Sequence, residues 1–166
     1  MGTDVLMVSL RGTAWDFIPD DLWHHILLRF APAACDGVSF DSIACAEDIA
    51  RLSVFAYHVP KYLGQISYRP YSIPASVTAP ESHERTVALF RFDEWIASLI
   101  DQQPFNSWGA GHEGADVDEL VFWANRCRKL HAVPHEGQIY FDRLTPDERR
   151  CLVGADERIE SNLYKV

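Results

Sequence analysis

The 166-residue chain is 48% hydrophobic and 23% charged, and 15 Lys+Arg against 24 Asp+Glu give a formal net charge of −9. That composition excludes intrinsic disorder, and the acidity argues against a surface built for phosphate backbones, which needs clustered Lys and Arg. The acidity is also spread evenly: 5 basic and 9 acidic residues precede Glu84, and 10 and 15 lie from there onward, so there is no charged tail.

In chain order, residues 5–10 form a short apolar run with β-branched Val5 and Val8, bounded by Gly12, and predict a strand. The segment 16–30 predicts an amphipathic helix. Pro19 has the fixed φ of a helix start, and Asp20 and Asp21 put negative charge where the helix dipole favours it. Leu22, Trp23, Ile26, Leu27 and Phe30 then fall on one stripe, leaving His24, His25 and Arg29 on the other side, and Pro32 predicts a stop. Residues 31–41, with Pro32, Gly37 and two Asp, read as a loop. A second helix is predicted over 47–59 from Ile49, Leu52, Phe55, Ala56 and Val59, ended by Pro60.

Residues 65–80 hold Pro70, Pro74 and Pro80 and predict an extended connector, with an edge strand at 66–68. Thr78-Ala79-Pro80-Glu81 has the form of a capping box, and Leu89, Phe92, Trp95, Ile96, Leu99 and Ile100 fit one face of a helix that follows it. Residues 86–92 are also rich in strand formers, but the helical pattern runs unbroken through Ile100 and decides for helix. The segment 106–114 carries three glycines and reads as a loop. Asp116 to Glu119 open another predicted helix through Leu120, Val121, Trp123, Ala124 and Cys127, with Arg126, Arg128 and Lys129 at its C-terminal end. Residues 138–141 predict a strand, and Thr145-Pro146-Asp147-Glu148 is the clearest capping box, heading a short helix that ends near Gly154. The expected fold is mostly α (α+β): a compact helical domain with a few short strands. An N-terminal helical unit (1–64), a Pro-rich connector (65–80) and a C-terminal helical unit (81–166) would pack together as one domain.

Ile18, Pro19, Leu22, the pair Ile26-Leu27 and Phe30 stand in the register with which an F-box opens, and Asp48-Ile49-Ala50-Arg51-Leu52-Ser53-Val54 resembles the next helix of that family. The connection departs from the pattern, since 17 residues (31–47) stand where the family has a few. The resemblance covers about a quarter of the chain. It implies that Pro19, Leu22, Ile26, Leu27 and Leu52 face a Skp-type adaptor, with the remainder recruiting a target to a ubiquitin ligase; Trp23, on the same stripe, is counted with them as partner-binding. Ile43-Ala44-Cys45-Ala46-Glu47 is similar to the L-x-C-x-E motif that binds retinoblastoma-type pockets, with Ile in place of Leu.

Four cysteines, at 35, 45, 127 and 151, have no C-x-x-C spacing and are too sparse for a disulfide scaffold. They predict reduced thiols in a cytoplasmic or nuclear setting. The N-terminus lacks the basic region and cleavage site of a signal peptide, and no apolar run reaches the length of a membrane span.

Cys127, His131 and His135, spaced by four, have zinc-ligand residue types but no nearby fourth ligand, so no metal is expected. His112-Glu113 brought near Cys127 by folding, or Cys127 with His131, would make a Cys/His hydrolase. No nucleophile elbow, P-loop, dinucleotide fingerprint or H-E-x-x-H is present, and no cofactor is expected. The sequence thus predicts a non-enzymatic protein–protein interaction domain, in its sharper form an F-box-like adaptor. The alternatives are a small acidic inhibitor or immunity-type protein, viral or bacterial, that docks on a basic-surfaced target, and the small hydrolase. The partner in the first two is another protein, not nucleic acid and not a membrane.

Overall fold

Runs such as Thr86-Val87-Ala88-Leu89-Phe90 and Leu120-Val121-Phe122-Trp123 join β-branched and aromatic residues, which pack well on a pleated surface. They build strands. The computed structural model describes residues 5–9, 20–41, 62–69, 84–101, 119–133 and 138–165. Strands β1 (Val5–Ser9), β2 (Gly37–Asp41), β3 (Tyr62–Tyr68), β4 (Arg85–Arg91), β5 (Glu119–Ala124), β6 (Cys127–Val133), β7 (Gln138–Asp142) and β8 (Leu163–Lys165) form one eight-stranded sheet of order β3-β4-β2-β5-β6-β7-β1-β8. Every pairing is antiparallel.

The expectation of a mostly helical domain is therefore overturned: the chain is sheet-rich. The helix expected through 89–100 is strand β4 followed by the short helix α3 (Glu94–Asp101), whose first turn is capped by the Asp93 carboxylate accepting from Ile96 N–H at 3.0 Å. The helix expected over 120–129 is the β5–β6 hairpin. The physical reason is the same in both. These strands are covered on both faces, so nearly every position is apolar, and the alternation that marks a half-buried strand is erased.

Among the described residues the remaining helices are α1 (Asp20–His25), α2 (Ala31–Ala34), α4 (Pro146–Ala155) and α5 (Glu157–Ser161), with a π-helical turn Ile26–Phe30 between the first two. The loop expected over 31–41 is thus α2 and β2, and Pro32 does not stop the helix. The π turn moves the hydrogen-bond ladder by one residue, with Ala31 N–H donating to Ile26 O. Pro32, which has no N–H, sits where the ladder shifts back. Expected strands at 5–10 and 138–141 are present as β1 and β7, and the edge strand at 66–68 lies within β3. The capping box at α4 has both bonds, Glu148 N–H to Thr145 Oγ1 at 3.1 Å and Thr145 N–H to Glu148 Oε2 at 2.7 Å. The boundary expected after residue 64 falls inside β3, and strands from both sides of it share the one sheet. The helix expected over 47–59 lies outside the described residues. No helix among the described residues is long and apolar enough to cross a membrane.

One sheet face carries the main core. Val38, Phe90, Phe122, Leu130, Ile139 and Phe141 line it, and α1, the π turn, α3, α4 and α5 close over them with Trp23, Phe30, Ile96, Leu152 and Ile159. Trp23 meets Phe122 edge-on at 6.4 Å, and Phe30 meets Phe141 at 5.5 Å. Arg158 on α5 ties this helical layer together by pairing with Asp156, at the N-cap of its own helix, and with Asp21 on α1 at 2.8 Å.

Candidate functional site

The sheet face turned away from the described helices concentrates the buried ionisable groups. Alternation along β5 sends Leu120 and Phe122 to the helices and Glu119, Val121 and Trp123 to the other side. The registers Val121↔His131 and His131↔Tyr140 put His131 and Tyr140 on that same side, and Gln138 and Asp142 follow at two-residue steps.

This face is strongly concave. Strand β3 lies four positions from β6 in the sheet, which is roughly 19 Å in a flat sheet at the usual strand spacing. Yet the ring of Tyr68 on β3 lies 5.7 Å from that of His131 on β6, and 5.9 Å from that of Trp123 on β5. The sheet therefore coils until β3 arches back over the β5–β6 hairpin. A small apolar cluster, Ile66, Tyr68, Val87, Leu89, Val121 and Trp123, fills the hollow. Gly37 on β2 lets neighbouring strands approach: a Cβ there would lie 2.9 Å from Leu89 Cδ1.

Glu119 is the hub. Its Oε2 accepts from the Tyr68 hydroxyl at 2.8 Å and lies 2.9 Å from His131 Nε2, while Arg85 reaches its Oε1 at 3.4 Å. Burial opposes ionisation of this carboxyl most strongly. The His131 hydrogen bond and charge, the Tyr68 hydrogen bond and the Arg85 charge together outweigh it and hold Glu119 below the ordinary carboxylate range. Trp123 Nε1 donates to Ser39 Oγ at 2.9 Å, and the Tyr140 hydroxyl to Gln138 Oε1 at 2.5 Å.

A second pair lies beside the hub, with Arg128 Nε donating to Asp142 Oδ2 at 2.5 Å. Burial works against both charges: it pulls Arg128 down and pushes Asp142 up to about 7, with the Arg143 charge opposing the latter. A guanidinium in direct contact with the carboxylate favours the charged form of both, so we read the pair as ionic.

The β5–β6 turn has an unusual backbone. Asn125 and Arg126 both have positive φ, 49° and 62°, the arrangement that suits the right-handed twist of a hairpin. Asn enters this region readily, whereas Arg is strained there by about 1 kcal/mol. The conformation carries Arg126 to β3, where its Nη2 donates to Gln65 O at 2.6 Å, and Arg128 Nη1 donates to Arg69 O at 2.6 Å.

The residues singled out from the sequence are distributed differently. Leu22, Trp23, Ile26 and Leu27 are all 0% exposed and belong to the main core, so a partner would meet them only after that core had opened. Pro19 and Leu52 lie outside the described residues, as do His112, Glu113, His135 and the stretch 43–47. Cys127 pairs with Ala124 on the helix side of the hairpin, whereas His131 faces the hollow, so these two do not form a dyad. Cys127 is exposed, and the buried Cys35 thiol is pushed up to about 12 by its surroundings, desolvation first. No group of three His, Cys, Asp or Glu suited to a metal occurs among the described residues.

The sequence reading missed the hub because Glu119, His131 and Tyr68 belong to three strands, two of which were read as one helix. The available signal was a Glu at the head of the apolar run 120–124 and a lone His within Leu130-His131-Ala132-Val133, which in a sheet must find a buried partner. Comparisons with family models, with curated proteins and with solved structures yield no match to the chain.

Proposed function

We propose that this chain acts by binding another protein that presents a basic surface, and that it performs no chemistry of its own. The observation that supports this most directly is how the charges are used. Acids outnumber Lys and Arg by 24 to 15, and Arg85, Arg128, Lys129, Arg150 and Arg158 each pair with a carboxylate of the chain itself. The excess that remains is negative, and it suits docking steered by charge. The ionisable hub is consistent with a structural role, since Glu119 already serves three partners. The inhibitor or immunity-type form of binding fits these features. The adaptor form is not taken up, because the stripe it needs lines the protein's own core.

Affinity capture from a lysate of the source organism, at low and at raised ionic strength, tests the proposal. A Lys/Arg-rich protein should be retained at low salt and released as salt rises, because exposed charges more than about 10 Å apart are screened at 0.1 M. Failure to retain any such protein, or retention indifferent to salt, counts against it.

A further inference from the structure

Strand β3 is an outer strand of the sheet, paired only with β4 along its ladder among the described residues. Across the hollow it is stitched to the β5–β6 hairpin by polar contacts: Tyr68 to Glu119, Arg126 to the Gln65 carbonyl and Arg128 to the Arg69 carbonyl. Of its side chains Tyr62 meets the helix-side core, edge-on to Phe90 at 6.1 Å, and the stretch from Gly64 onward can move without opening that core. Its beginning carries the means to bend: the register slips between Tyr62 and Gly64, and Gly64 has φ of 104°, a conformation other residues rarely adopt.

We propose that β3 is a strap that lifts off the β5–β6 hairpin when Glu119 takes up a proton, uncovering Trp123 and Val121 while the rest of the sheet stays folded. Glu119 is faced by Tyr68 from β3, Arg85 from β4 and His131 from β6. Arg128 of β6 acts on it from further away, and that residue is paired with Asp142 of β7, where Tyr140 and Gln138 bond each other. Arg85 and Arg128 keep their charge at any accessible pH. Neutralising the carboxylate therefore removes its attraction for the Arg85 guanidinium and weakens the acceptor that holds Tyr68. The strap relaxes this by moving away, and the backbone bonds of its ladder to β4 open with it.

Hydrogen exchange followed by mass spectrometry, corrected for intrinsic rates and stepped from about pH 6 to about pH 2.5, reads the motion directly. Peptides over 62–68 should lose at least about tenfold more protection than peptides over 138–142, which is about 1.4 kcal/mol of opening free energy. Glu119→Gln should show the deprotected strap already at neutral pH, with no further pH response. Should that variant fail to fold, Tyr68→Phe, which keeps the ring and removes the hydroxyl, should shift the strap's release to higher pH. Simultaneous loss of protection in β3 and β7, an unresponsive β3 in the parent, or a variant that folds and titrates like the parent would each overturn the proposal.

Discussion

Leu22→Ala tests whether the stripe of residues 22–30 is core or contact surface. Leu22 is 0% exposed and lies in the main core with Trp23, Ile26 and Phe122. Truncation removes three carbon groups, about 2.4 kcal/mol of transfer free energy at ~0.8 kcal/mol each. A residual cavity adds to that, and buried Leu→Ala changes fall at 2–5 kcal/mol, so ~3–4 kcal/mol is expected here. For a domain of this size each kcal/mol lowers Tm by roughly 2–4 °C, giving a drop on the order of 10 °C. Leu28→Ala is the internal control: six residues on in the same helical stretch, its side chain is 58% exposed, and its loss should stay within ~0.5 kcal/mol. Urea melts with a common m-value, checked by calorimetry, provide both numbers. If Leu22→Ala melts within ~0.5 kcal/mol of the parent, or Leu28→Ala proves as costly, the placement of this stripe in the core is wrong.

Thr145→Ala removes one half of the capping box at α4 and should cost about 1 kcal/mol by urea denaturation, while Thr145→Ser should be nearly silent. Gly37→Ala forces a Cβ to within 2.9 Å of Leu89 Cδ1. Because that atom is the free end of a side chain, the loss should sit near 1 kcal/mol, and an unchanged melting curve would mean that β2 and β4 are not packed this closely. Asp156 is held down from 3.8 to about 2, first by its hydrogen bond from Arg158. A depressed carboxylate contributes stability that is present above its unfolded pKa and is lost as pH falls through the folded one. The Tm difference between the parent and Arg158→Ala should therefore shrink as pH drops from about 3.8 to about 2, and a difference constant over that interval would remove this pair from the account.

Local signals carried the ends of elements, and tertiary context decided their kind. Thr145, Pro146 and Glu148 announce a helix start by side-chain chemistry confined to four residues, and the structure has that start. The stripe from Leu22 to Phe30 gave a true helical face, but a stripe says only that something covers it, and what covers it is the chain's own sheet. Glu119–Ala124 defeated the reading for a different reason. Buried on both faces, it has no period to detect, and its two-residue turn, Asn125-Arg126, lacks the glycine that usually marks a tight hairpin. With β5 and β6 fused into one imagined helix, the opposite-face separation of Cys127 and His131 and the meeting of Glu119 with His131 were both out of reach.

The first and last described strands lie side by side, with Leu6 opposite Lys165 and Val8 opposite Leu163. A tether pulling the two ends apart would load these ladder bonds one after another, like a zip, and not all at once as in shear. The molecule should thus yield to tension at low force from this seam, shedding β8 and its partly buried Leu163 before the fully buried interior is disturbed.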